Sequence, residues 1–202
     1  MSLERDDPQH KPLTELLEQR WSPRAFDPGF ELTHADMRLL FEAARWSPSA
    51  GNSQPWSFIY GLRGDDTHAA IFELLADGNK RWAGRPSAII MTVRQLEEGP
   101  DHELFGADHT QYDLGQAAAH LTVQAQSTGL HVHQFSGFDR PGIAERFGVP
   151  DHWEVTSGIA VGRIAAPEVL GEDWQIERER EPRTRRPIEE FVFSGRWGQS
   201  AF

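Results

Sequence analysis

Apolar residues at 13, 16, 17 and 21 fall on one helical face, which predicts a helix opening at Leu13. Residues 1–12 (MSLERDDPQHKP) carry no such pattern and read as a flexible arm ahead of one domain over 13–202. Ser22-Pro23 and Asp27-Pro28-Gly29 then break the chain into a loop. Thr33, with Asp36 three residues on, marks a helix start, and positions 37, 40, 41 and 44 continue one apolar face to about Trp46. Ser47 to Pro55 is turn chemistry, and WSFIYGL after it reads as a strand.

A helix from about Thr67 to Leu75, a polar turn and a buried strand SAIIMTV follow. Residues 95–110 read as a loop rich in Glu, Asp and His that lies over the substrate side. YDLGQAAAHLTVQAQSTGL, small and apolar on several sides, predicts a buried helix ending at Gly129. HVHQF reads as a short strand or loop entry, RPGIAERFGVP as a short helix, and WEVTSGIAVGRI as the last clear strand. Residues 166–187 read as a polar, proline-punctuated connection, and IEEFVF as one more short helix or strand. This irregular order is not a βαβα alternation, so the expectation is an α+β fold with a mixed sheet.

Charge narrows the function. The chain of 202 residues has 31 acidic against 20 basic side chains, a formal charge of −11. A field of that sign disfavours nucleic acid and anionic membrane as partners, so clustered cations stand out against it. Cysteine is absent, which excludes disulfides, thiolate catalysis and iron–sulfur or Cys-type zinc ligation. The polar N-terminus does not read as a signal peptide, and the apolar runs at 87–93 and 157–162 are too short to span a bilayer. A cytoplasmic protein is the expectation.

Three segments carry candidate chemistry. Arg20, Ser22 and Arg24 are spaced two apart, so in an extended segment they share a side and suit a phosphate. The same residues also suit a solvated helix end. PSAGNSQPW (48–56) combines small residues, which let backbone amides approach a ligand, with the polar side chains of Ser49, Asn52, Ser53 and Gln54. Two prolines stiffen it, although a plain helix-to-strand connection would have similar composition. Arg183, Arg185 and Arg186 form the third cluster, with Glu177, Glu179, Glu181, Glu189 and Glu190 close enough in sequence to neutralise them.

Other chemistries lack their spacing. His131 and His133 lie on one side of the possible strand, and His102 and His109 sit in the acidic loop, but there is no HExxH or comparable ligand set. Neither GxGxxG after a strand nor GxxxxGK[ST] occurs, and Ser57, Ser136 and Ser194 have no GxSxG elbow.

Together these blocks resemble the nitroreductase family of flavoproteins. RWSPRAF at 20–26 looks like the family's opening R-x-S-x-[RK]-x-F, and EAARWSPSAGNSQPWSF at 42–58 its A-x-x-[AS]-P-S-x-x-N-x-Q-P-W block. DLGQAAAHLTVQAQSTGL at 113–130 is similar to its central helix and QFSGFD at 134–139 to the loop that follows. IAVGRI stands in the place of its late strand and RTRRPIEE in that of its basic C-terminal motif.

The resemblance implies a central mixed, mainly antiparallel sheet flanked by helices, and an intertwined homodimer with FMN at the subunit interface. Arg20, Trp21, Ser22 and Arg24 would then hold the FMN phosphate and ribityl chain, and Arg183 and Arg185 would reach the same phosphate. Pro48, Ser49, Ala50 and Asn52 would come from the partner subunit. Asn79 would bond the pyrimidine side of the ring, and Gln134, Phe135, Ser136 and Gly137 would run along the isoalloxazine. Two positions depart from the pattern. Trp82 stands where a lysine is frequent, leaving Arg81 or Arg85 as substitutes for the charge, and Ser136 stands where glutamate or glycine is frequent.

The implied activity is ping-pong transfer of hydride from NAD(P)H through flavin N5 to a nitroaromatic, quinone or similar small-molecule acceptor. The flavin carries that chemistry, so no side-chain acid, base or nucleophile is nominated, and no metal. A relative with other flavin chemistry, such as reductive dehalogenation or flavin breakdown, and a non-catalytic flavin-binding protein are the alternatives.

Overall fold

The computed structural model describes residues 13–100 and 103–202. The expected N-terminal arm and His102 lie outside the described residues. Four strands, β1 (Trp56–Leu62), β2 (Ala88–Gln95), β3 (His131–Phe135) and β4 (Trp153–Gly162), form one sheet in the order β1-β2-β4-β3. The three pairings are antiparallel, so the mainly antiparallel sheet expected of the α+β fold is wholly so among the described residues.

Period-two alternation sends each strand's side chains to two cores. Ile89, Met91 and Val93 of β2 face one core, and Ala88 and Ile90 face the other. The first core is covered by α3 (Asp66–Glu73), α4 (Asp77–Ala83) and α6 (Arg140–Phe147), through Ile71, Trp82 and Ile143. The second is covered by α2 (His34–Arg45) and α5 (Thr110–Ser127), through Met37, Leu40, Ala117 and Leu121. In β4 the register passes from Ser157 opposite Thr92 to Val155 opposite Val93, so Thr156 is an extra, bulged residue. That bulge puts Val155 in the same core as Ala160, although their separation is odd.

Local signals explain the element ends. Thr33 Oγ1 accepts from Asp36 N at 3.2 Å while Asp36 Oδ2 accepts from Thr33 N at 2.8 Å, a reciprocal cap on α2. Asp139 caps α6 through Gly142 N at 3.1 Å, and Gly148 ends it with φ 63°, in the left-handed region where glycine is favoured.

The structure departs from the sequence reading at three places. The first helix, α1, covers only Glu15–Glu18, with no buried residue to extend it. The polar turn expected before β2 contains α4, and the polar connection at 166–187 contains α7 (Asp173–Arg180). In α7 the inward residues include Gln175 and Glu179, so burial there is polar and leaves no apolar stripe to read.

Candidate functional site

The segment after α1 meets the last turn of α7 and the segment that follows it. Arg20, Trp21, Ser22 and Arg24 from the first, with Arg178, Glu179, Arg183 and Arg185 from the second, line one cleft of about 290 Å³. Direct hydrogen bonds close it. Arg183 Nη1 donates to the Arg20 carbonyl at 2.6 Å, and Arg20 Nη1 donates to Ser22 Oγ at 3.1 Å. Glu179 is 7% exposed, and its Oε1 accepts from the backbone of Arg24 and Ala25. It acts as a buried tie for the arginine segment, and the sequence reading of Glu179 as a solvated counter-charge is corrected. Arg186 does not line the cleft; its guanidinium lies over the Phe191 ring at 5.5 Å.

Five arginines line this cleft against two glutamates, in a protein whose net charge is −11. The crowding is visible in their acidity. Burial, then the guanidiniums of Arg185 and Arg183, lowers the pKa of Arg20. Burial, then Arg178, lowers that of Arg24, while Glu179 acts the other way. An anion seated here relieves both effects, and guanidiniums with a hydroxyl form a donor set suited to phosphate oxygens.

His133 holds the arginine segment to the sheet. Its Nδ1 lies 2.9 Å from the Pro23 carbonyl, joining β3 to the arginine segment. A carbonyl only accepts, so Nδ1 carries the proton. Trp82 packs on the same imidazole with ring centroids 4.5 Å apart.

A second cavity of about 220 Å³ shares Arg24 and Arg178 with the cleft and adds Asn79, Trp82, Trp174 and Gln175. Asn79 Nδ2 donates to Gly137 O at 2.9 Å, which brings together two of the residues singled out in the sequence. A Cβ on Gly137 would stand 2.8 Å from Asn79 Nδ2, so a side chain there would push the Asn79 amide out of this position. Gln134 and Ser136 are exposed, with Gln134 Nε2 donating to Thr122 Oγ1 at 3.3 Å. The Phe135 side chain turns away into the core, edge-on to Trp82 and Phe138, so only its backbone is available to a ligand.

The 48–56 loop does not line either cavity. It folds as a 3-10 turn over Ala50–Asn52, with Gly51, Asn52 and Gln54 at φ 57°, 58° and 50°. Left-handed backbone at Gln54 is costly, and the surrounding bonds hold it. Ser49 Oγ accepts from Gln54 N at 2.9 Å, and the buried Asp113 of α5 accepts from Ala50 N at 3.0 Å. Gly51, Asn52 and Gln54 line their own cavity of about 420 Å³ with Glu103, Leu104 and Phe105, so the acidic loop packs on this one.

The Nitroreductase family model matches residues 17–81 and 76–163. The chain belongs to the nitroreductase family. Among its relatives is a 15.4 kDa protein of Mycolicibacterium smegmatis, 35% identical over 151 residues, 70% of this chain and 97% of that one. Protein DrgA of Synechocystis is 26% identical over 72% of this chain and 80% of its own length. A solved oxidoreductase containing FMN superposes with a TM-score of 0.87 and 30% identity, covering 99% of this chain and 100% of that one.

For a nitroreductase, two placements were not legible in the sequence. Arg178 stood inside an alternating Glu/Arg run that reads as a solvated face. Its only signal was helical spacing from Gln175 and Trp174. Trp82, where lysine is frequent, is 2% exposed and packs on Phe26 and Phe135 as well as His133. Arg81 lies over the Trp174 ring and Arg85 donates to the Arg81 and Leu170 carbonyls, and the cations that line the cavity with Asn79 are Arg24 and Arg178.

Proposed function

We propose that this chain is an NAD(P)H-dependent FMN oxidoreductase acting on small-molecule acceptors of the nitroaromatic or quinone kind. The observation that carries this reading is the convergence of Arg20, Ser22 and Arg24 with Arg183 and Arg185 on one cleft. The donor set fits a phosphomonoester, and the cavity beyond Arg24 continues from it with Asn79 and Trp174 among its lining residues. A Streptomyces coelicolor protein named as an NADH dehydrogenase/NAD(P)H nitroreductase, 24% identical over 66% of this chain, supports the same reading.

FMN held by these residues would supply the redox chemistry, hydride exchange between NAD(P)H and an acceptor in ping-pong order. The chain's own residues do the holding. Arg20, Arg24, Arg183 and Arg185 anchor the phosphate, and Glu179 fixes the backbone that carries Arg24. Asn79 is positioned by Gly137 O, leaving its Oδ1 as an acceptor toward the ring. No side-chain acid or base is assigned.

The 48–52 loop serves the site of a second copy, and the active unit is a homodimer. This rests on the loop's strained, hydrogen-bonded backbone and on its separation from the arginine cleft within one chain.

Purified protein supplied with FMN should take on a bound-flavin spectrum and oxidise NAD(P)H when an acceptor is added. Well-folded protein that never retains flavin would reject the reading. The dimer is tested by mixing two inactive variants, Arg20→Ala/Arg24→Ala and Asn52→Ala. Hybrids with one intact site should regain activity, and mixtures that stay inactive would place the loop elsewhere.

A further inference from the structure

One buried acid holds the 48–56 loop. Asp113 is 3% exposed on the inward face of α5; its Oδ2 accepts from Ala50 N at 3.0 Å and its Oδ1 from Gln116 Nε2 at 3.4 Å. Among the described residues no cation pairs with it. Burying a carboxylate without a counter-charge is costly. A charge-assisted bond to a backbone N–H, in the first turn of a helix where negative charge is favoured, offsets that cost. Ala117 and Leu121 pack α5 into the second core, so Asp113 ties the loop to a rigid element. The tied turn has left-handed backbone at Gly51 and Asn52. Asn52 is exposed and bonds only through its backbone among the described residues: its N donates to Ser49 O at 3.0 Å and its O accepts from Gln54 Nε2 at 3.1 Å. Its carboxamide is left for a ligand.

We propose that Asp113 is a positioning residue of the flavin site that acts across the dimer: from α5 of one copy it holds the Ala50–Asn52 turn in the shape that presents Asn52 to the FMN of the second copy. The inference rests on the reading that this loop serves a second copy. It does not act through the arginine cleft, since neither Asp113 nor the loop lines that cavity. Without the carboxylate, Ala50 N loses its acceptor and the turn must be ordered when FMN binds, which weakens binding. The loss falls on the site that the altered loop serves and spares the site formed by the same chain's arginines.

The test is FMN titration of hybrid dimers, purified through a different affinity tag on each chain and read by flavin fluorescence. Asp113→Ala homodimers should bind FMN roughly tenfold or more weakly than wild type, the worth of a hydrogen bond to a charged group. Asp113→Asn keeps an acceptor and should recover most of that affinity. Paired with Arg20→Ala/Arg24→Ala, the alanine variant should give hybrids that bind one FMN per dimer as tightly as wild type, because one site then combines intact arginines with an intact loop. Paired with Asn52→Ala it should give no such site, because both loops are altered. Asp113→Leu serves in place of the alanine variant if that one does not fold. Wild-type affinity in the alanine or leucine homodimer, or no tight site in its hybrid with the arginine variant, overturns the role of Asp113; so does a tight site in its hybrid with Asn52→Ala. If hybrids of Arg20→Ala/Arg24→Ala with Asn52→Ala themselves lack a tight site, the cross-subunit reading of the loop fails and the proposal with it.

Discussion

Glu179 Oε1 accepts from the backbone N–H groups of both Arg24 and Ala25, at 2.7 and 2.9 Å, across more than 150 residues of chain. One carboxylate on α7 therefore sets the backbone at the end of the Arg20–Arg24 segment. Glu179→Ala leaves two N–H groups without their partner in a largely buried setting. We expect a loss of about 1–3 kcal/mol in unfolding free energy, with Glu179→Gln losing less because it keeps an acceptor. Urea denaturation of the three proteins measures this; an unchanged midpoint in the alanine variant would contradict it.

The histidine beneath that segment predicts a pH dependence. Burial, then Arg24, lowers the pKa of His133 from 6.5 to about 4, while its bonds to the Pro23 and Ser22 carbonyls act the other way. The folded state thus holds His133 neutral where the unfolded chain takes up a proton. Stability from this source is complete above pH 6.5, declines as pH falls, and levels off below about 4. The full span is on the order of 3 kcal/mol. His68 and His131 are lowered in the same direction by burial, so part of the slope has other origins. His133→Asn, which keeps a donor toward Pro23, should flatten the slope of stability against pH between 6.5 and 4. An identical slope would show that His133 does not titrate as described.

Arg183 bonds the Arg20 carbonyl while lining the same cleft. Arg183→Ala should weaken FMN binding by roughly tenfold or more, since charge-assisted bonds to phosphate are among the stronger polar contacts. Affinity in the wild type should also fall as salt is raised, because the cleft opens to solvent. Titration at two ionic strengths reads both effects. Salt-independent binding, unaltered by the substitution, would exclude an electrostatic anchor.

Gly158 lies on β4 against the Phe135 ring, and a Cβ there would collide with it. Overpacking of this kind costs roughly 1–3 kcal/mol, so Gly158→Ala should lower the thermal midpoint. Adding Phe135→Leu makes room and should restore part of the loss. If the double variant is no more stable than Gly158→Ala, the collision is not the cause.

The sequence carried the sheet well because β1, β2 and β4 are built from β-branched and aromatic residues with clear ends. It carried α2 through the Thr33 and Asp36 cap. It did not carry α4, whose buried residues are only Trp82 and Ala83 in a polar stretch, nor α7, whose buried residues are Gln175 and Glu179. Both are helices held by tertiary contacts, which periodicity cannot register. The arginine cleft was legible as two separate clusters, but their meeting depends on a Glu179 tie and a His133 bond formed between distant segments. Arg178 and Gln175 were missed for the same reason as their helix.

Trp82 sits in the core against Phe26, His133 and Phe135 while also forming a wall of the cavity beside Asn79. Changing it to lysine would bury an ammonium among rings and leave a void where the indole was. The two residues are therefore not one mutational step apart in any functional sense. Core and cavity wall share one side chain, and neither can be reshaped at this position without disturbing the other.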